Sequence, residues 1–276
     1  MADSIGGSRP LSLAGTASAA PLGYYSWTLG QGARDPLYIL VVIYIFFPYF
    51  SNVVVGDPVR GQALVGYVNT VAGITMAVTV PFLGAIADKT GQLKPWLLST
   101  TLVVSICTFG LWWVTPETVQ QGAGLYPILG SLILMNVAFA YTEVFHNAML
   151  PRIAPADKAG LISGLAFALG NLGGVSLMLL VLFAFALPGT VSLSWIADAP
   201  WLGIDQTTHQ HDRIVGPIAA VWLLLFTLPV LLFTPDGARS ELMIHEAASS
   251  GVAEVWQTLR KLKNYMNVAR YLLARM

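Results

Sequence analysis

Long apolar runs separated by short polar stretches set the pattern of this chain. The runs cover residues 36–55, 63–87, 96–114, 125–145, 161–187 and 214–233. Each is near or above the roughly 17–25 residues a helix needs to cross the hydrocarbon core of a bilayer. None breaks into short segments of alternating polarity, which argues against a membrane β-barrel. The pattern predicts an all-α integral membrane protein with a six-span unit over residues 24–233. An even number of spans places both termini on one side. Residues 1–23, rich in Ala, Gly and Ser, lack the apolar core of a signal peptide and are expected to form a disordered cytoplasmic tail. Beyond residue 234 the chain turns polar. Val252, Val255, Trp256, Leu259 and Leu262 recur at helical spacing beside Arg260, Lys261 and Lys263, the signature of an amphipathic helix on the membrane surface.

Composition agrees. Of 276 residues 55% are hydrophobic and 10% charged, against about 25% charged in soluble domains, and mean hydropathy is +0.67. The net charge of zero hides an asymmetry. The N-terminal tail, the polar stretches at 88–95 and 151–159 and the region after 234 hold twelve Lys and Arg, and the alternate loops hold two, Arg60 and Arg213. Positive charge marks the cytoplasmic face, so both termini are expected inside. The single cysteine, Cys107, excludes an intrachain disulfide and reads as a small buried hydrophobe. No cofactor and no nucleic-acid partner are expected. The lipid bilayer is an expected partner.

Polar residues inside the runs are the candidates for function, because polarity in hydrocarbon is costly. Arg34-Asp35-Pro36 opens the first run. The preferred reading is local: Asp35 caps the helix, Pro36 takes its first turn and Arg34 reaches to headgroups. The other places Arg34 and Asp35 inside a longer span starting near Trp27, facing the bundle interior. Pro48 predicts a kink. In span two, Asn69, Thr70, Thr75 and Thr79 accompany Gly66 and Gly73; close helix packing is the preferred reading, with Asn69 the functional candidate. At the end of span four, Glu143, His146 and Asn147 share a helix face by spacing, and serve either as a proton carrier or as a polar collar at the interface. In span five, Gly164, Gly170, Gly173 and Gly174 are expected to pack a neighbouring helix, and Asn171 is a candidate for a cavity wall. His209-Gln210-His211-Asp212 is too small a cluster to predict a metal site by itself; a solvated outer loop is the reading, and no metal is expected.

The hairpin between spans two and three reads Gly84-x-x-x-Asp88-Lys89-x-Gly91-x-x-Lys94. Gly84 is expected to admit a close backbone, Asp88 to act as an anion at a helix end, Gly91 to adopt positive φ, and Lys89 and Lys94 to hold the loop inside. This pattern resembles the loop between helices two and three of the major facilitator superfamily. The stretches Phe145-His146-Asn147-Ala148-Met149-Leu150-Pro151 and Ser163-Gly164 through Asn171-Leu172-Gly173-Gly174 are similar to the branch of the autophagy-related vacuolar amino-acid effluxer and its bacterial relatives. The resemblance implies the six-helix N-terminal half of a major facilitator fold, followed by a cytoplasmic linker and the start of a seventh span over residues 234–276. It also implies secondary active transport of a small polar solute, amino acids among them, by alternating access, with Asp88 in a gating role. The resemblance further implies a small-molecule substrate, protons or another coupling ion, a missing C-terminal half or a second copy as partners, and a bacterial inner membrane as the location. The sequence departs from the branch where Leu29 to Asp35 replaces an aromatic-acidic-aromatic cluster, and at Asn171, where a Tyr is common. Lys94-Pro95-Trp96-Leu97-Leu98 also resembles the glycoside–pentoside–hexuronide cation symporters. An enzyme is not expected, since no span carries HExxH, GxSxG or a catalytic carboxylate pair. A non-transporting membrane scaffold is the alternative of another class.

Overall fold

A computed structural model describes residues 9–120, 124–238, 256, 257 and 260. Six helices are long and apolar enough to cross a membrane: α1 Pro21–Val54, α2 Pro58–Thr90, α3 Lys94–Trp113, α4 Leu125–Ile153, α5 Ala159–Ala186 and α6 Gln210–Phe233. The chain is a multi-pass, all-α membrane protein, and among the described residues no strand forms beyond two isolated bridges. α1 occupies the middle, packed on α5, α6 and α4; α3 lies between α4 and α6, and α2 rests on α4.

The first helix corrects the preferred reading of its start. It begins at Pro21, with Pro at its first turn, so Arg34 and Asp35 lie deep within it and Asp35 caps nothing. The apolar run marks only the part of a helix that carries few polar side chains, whereas backbone hydrogen bonding continues through Trp27 to Asp35. With Arg34 inside a span, the charge asymmetry becomes eleven Lys and Arg against two. The kink at Pro48 is present: wide π-helical turns over Tyr38–Tyr44 and Phe50–Val54 flank it, and Ile45 leaves helical geometry at φ −121°. A widened turn accommodates the missing N–H and the bulk of a proline ring.

Residues 9–20, expected as part of a disordered tail, form a strap across the α4–α5 turn. Ala14 N–H donates to Pro151 O (2.9 Å), Ala19 N–H to Ile153 O (2.9 Å), and Ala156 N–H to Leu11 O (3.0 Å). The expected amphipathic linker and seventh-span start fall almost wholly outside the described residues. Within them, Trp256, Gln257 and Arg260 are helical, with the Arg260 guanidinium 5.3 Å from the Trp256 ring.

Glycine sets the closest helix crossings, though not at every expected place. A Cβ on Gly173 would lie 3.0 Å from Gly32 O and 3.1 Å from Pro36 Cγ, and one on Gly216 would lie 2.5 Å from Thr108 O. Gly174 sits against Ile39 in the same way. By contrast Gly66, Gly73, Gly84 and Gly164 have nothing within 4 Å of that position. The packing expected of Gly164 and the close backbone expected at Gly84 are therefore not made by the described residues. Thr70 and Thr75 likewise bond within their own helix, to Gly66 O and Val71 O (both 2.8 Å); only Thr79 reaches across, to Tyr141. Gly173→Val is expected to cost about 1–3 kcal/mol by overpacking α1 against α5. Gly164→Val should leave the melting temperature in detergent close to that of the parent, and equal melts for the two variants would contradict this packing.

Candidate functional site

A cavity of about 590 Å³ opens between α1, α2, α4 and α5. α1 contributes Arg34, Asp35, Tyr38 and Ile39; α2 contributes Asn69, Ala72 and Met76; α4 contributes Asn136, Phe139, Ala140 and Glu143; α5 contributes Phe167 and Asn171. Five sequence candidates, Arg34, Asp35, Asn69, Glu143 and Asn171, thus converge from four helices.

Arg34 is the centre of the arrangement. It is 2% exposed, and its Nη2 donates to Gln31 Oε1. Gln31 in turn donates its amide to both carboxylate oxygens of Asp35, at 2.9 and 3.1 Å. Residues 31, 34 and 35 meet because they stand three and four apart on one helix. Arg34 Nε and Nη1 are buried and have no hydrogen-bond partner. Glu143, exposed to the cavity, acts electrostatically on both Arg34 and Asp35. Asn136 and Asn171 each donate an amide N–H to their own helix, at Leu132 O (2.8 Å) and Phe167 O (2.9 Å). Tyr38 stacks on Phe139 with centroids 5.7 Å apart, giving the cavity an apolar wall. Gln31 and Asn136 escaped the sequence reading, although spacing points to both: Gln31 precedes Asp35 by four residues, and Asn136 precedes Glu143 by seven, two turns along one face.

The structure separates Glu143 from His146. The His146 ring is 1% exposed and stacks on Trp27, centroids 4.5 Å apart and planes 1° from parallel. Trp27 Nε1–H donates to His146 O (2.7 Å), and His146 Nε2 lies 2.8 Å from Trp27 O. A carbonyl only accepts, so Nε2 carries the hydrogen and Nδ1, which has no partner, is the bare nitrogen. Gly30 makes this approach possible, since a Cβ there would fall 2.7 Å from the imidazole Cδ2. His146 is a strut between α1 and α4; Asn147 is exposed and does not line the cavity.

At the end of the bundle where α2 turns into α3, Gly91 takes φ 78° and ends α2. Asp88 receives Arg152 Nη2 at 2.9 Å, and Arg152 Nη1 also donates to Gly91 O at 3.1 Å. Lys94 Nζ donates to Leu231 O (2.7 Å). Asp236, which the sequence reading passed over, caps α3 by accepting from Leu93 N (2.8 Å) and Lys94 N (3.1 Å). Lys89 lies in the last turn of α2.

A buried arginine and two carboxylates line a cavity between membrane helices, in a six-helix bundle consistent with one half of a major facilitator fold. The model of the family described as vacuole effluxer Atg22 like matches residues 52–161. The uncharacterized MFS-type transporter YxiO of Bacillus subtilis (strain 168) is 21% identical over 259 residues, 90% of this chain. The chain spans about half the length of that relative, 55%. It is therefore similar to major facilitator transporters of the Atg22-like group.

Gly170 ties the packing to the cavity. A Cβ there would run into the Asp35 carboxylate and come within 3.1 Å of Gln31 Cγ. Gly170→Ala should destabilise the protein by about 1–3 kcal/mol, and combining it with Asp35→Ala should recover part of that loss. Additive losses in the double-mutant cycle would show that the two positions do not meet.

Proposed function

We propose that this chain supplies the substrate-binding wall of a secondary active transporter that moves a small zwitterionic solute, amino acids in the first place, by alternating access. The observation that carries the reading is Arg34, a buried guanidinium at the cavity whose Nε and Nη1 no protein atom accepts. A solute carboxylate supplies both the acceptor and the counter-charge that such a guanidinium lacks. Asp35 supplies negative charge for an ammonium group on the same solute. The cavity falls within the roughly 300–1,000 Å³ range of small-molecule sites. A second bundle, from a longer chain or a second copy, would close its open side, because superfamily sites lie between two repeats. The end that bears Asp88 and Arg152 is read as cytoplasmic, on the distribution of Lys and Arg.

Counterflow of radiolabelled amino acids in proteoliposomes tests this reading. Exchange should require both the free carboxylate and the free amine. Arg34→Gln should reduce it at least ~30-fold, in line with the roughly 2–5 kcal/mol lost when one partner of a buried charged contact is removed. If Glu143 carries a coupled proton, Glu143→Gln should flatten the pH dependence of net uptake while exchange persists, whereas His146→Gln should lower stability and leave the profile's shape intact. Exchange that tolerates amides and decarboxylated amines would refute the zwitterion assignment.

The Asp88–Arg152 pair is read as a latch that forms in one state of the cycle and opens in the other. Asp88→Asn should leave membrane insertion unchanged and slow exchange. Parent-like exchange rates at equal expression would remove that role.

A further inference from the structure

The end of the bundle opposite Asp88 holds a cluster that transport does not use. We infer that His209, His211 and Asp212 form a binding site for one transition-metal ion of the Zn²⁺ class. His209 Nδ1 lies 2.9 Å and His211 Nε2 3.5 Å from the same atom, Asp212 Oδ2. The three ligand atoms all fall within 4.8 Å of one another. Ligand bonds of about 2.0–2.2 Å in a tetrahedron put neighbouring ligand atoms roughly 3.3 Å apart. Two of the three edges already bracket that spacing, and rotation of the imidazoles adjusts the third. Two nitrogens and one oxygen suit Zn²⁺ and its borderline neighbours; Ca²⁺ and Mg²⁺ call for oxygen ligands throughout. A water molecule would complete the fourth position.

The frame that presents these ligands is built from backbone and anchored on both sides. His209 adopts the left-handed region at φ 56°, which turns its ring to stack beside that of His211, centroids 5.8 Å apart. The Nδ1 of His211 is buried and without a partner, so its Nε2 is the nitrogen that faces the site. Before the cluster, Gln206 Nε2 donates to the carbonyls of Phe185, Ala186 and Pro188, at 2.8 to 3.0 Å, and fixes the loop to the end of α5. After it, Arg213 donates to Trp112 O at 2.9 Å and lies 5.2 Å from the Trp112 ring, which fixes the start of α6 to α3. Hydrogen bonds from Thr207 and Thr208 hold the Asp205 carboxyl below its usual range and occupy it as a local cap, which leaves Asp212 as the cluster's carboxylate. Ligands held on a rigid frame lose little entropy when the ion arrives. A bound ion would clamp the α5–α6 loop to α6 beside Tyr49 of α1, whose ring lies 5.7 Å from that of His209.

The test uses the full chain in detergent, free of any polyhistidine tag and stripped with a chelator, titrated calorimetrically with ZnCl₂ and separately with MgCl₂ and CaCl₂. One saturable equivalent of Zn²⁺ is expected, with a raised melting temperature that chelator reverses. His209→Asn, chosen because Asn tolerates the left-handed region, and His211→Gln should each weaken binding by at least the ~10–100-fold that even an outer partner's loss costs. His245→Gln should leave affinity unchanged. X-ray absorption at the zinc edge of the parent protein gives a readout that no variant's folding affects, and should show imidazole scattering. Absence of saturable binding, parent-like affinity in the two histidine variants, equal response to Mg²⁺, or a zinc spectrum without imidazole would overturn the site.

Discussion

A guanidinium buried between membrane helices must find partners for its N–H groups, and the arrangement around α1 follows from how Arg34 is accommodated. The effective penalty for an unpaired ion in a protein interior is several kcal/mol. Gln31 meets part of it by accepting from Arg34 and passing two amide N–H bonds to Asp35. Asp35 can take that place only because Gly170 has no side chain. Gly173 and Gly174 then let α5 lie directly on the backbone of α1, against Gly32, Pro36 and Ile39. The same α1 segment presents Trp27 to His146 of α4 and the carbonyl of Gly32 to Trp222 of α6, at 2.9 Å. A stretch of nine residues, 27 to 35, therefore helps hold α4, α5 and α6 against α1 and leaves Nε and Nη1 of the guanidinium without a protein partner.

Hydrophobic patterning revealed the six helices because the bilayer imposes length and apolarity on each one. It misplaced the start of α1 for the same reason. A run interrupted by Gln31, Arg34 and Asp35 looks like a helix end when the helix is read alone, and Pro36 looks like a first turn. The polar residues instead bond to one another, beside the Glu143 charge of α4 and in the space left by Gly170 of α5, which no single-helix reading contains. Spacing carried the convergence of Asp35, Glu143 and Asn171 only in part: it gives the face of each helix but not the neighbour that face meets. Gly164 and Gly170 look alike in sequence, yet only Gly170 meets another helix. Glu143 and His146, three apart, diverge to a cavity and to a tryptophan. The hairpin at 84–94 was the most legible segment, since Gly91 must turn the chain and Asp88 has a basic residue within reach across the α4 end.

The contacts of that hairpin are made within the bundle. Arg152 bridges α4 to the hairpin through both Asp88 and Gly91, Asp236 caps α3 from beyond the end of α6, and Lys94 binds the last turn of α6. Gly237 packs so closely on the Gly91 carbonyl that no side chain fits there. These bonds join α2, α3, α4 and α6 at one end, while Gln206 and Arg213 join α3, α5 and α6 at the other. Five of the six helices are thus tied at one end or the other, α3 and α6 at both, around the central α1. The outer stripe of α2 differs. Gly66, Gly73 and Gly84, spaced by seven and eleven residues, return to nearly the same side of a helix of 3.6 residues per turn. Nothing described approaches within 4 Å of where their side chains would be. The two features differ in kind: the end contacts fix helices to one another, whereas the glycine stripe leaves α2 backbone open to the close approach that small residues allow between membrane helices.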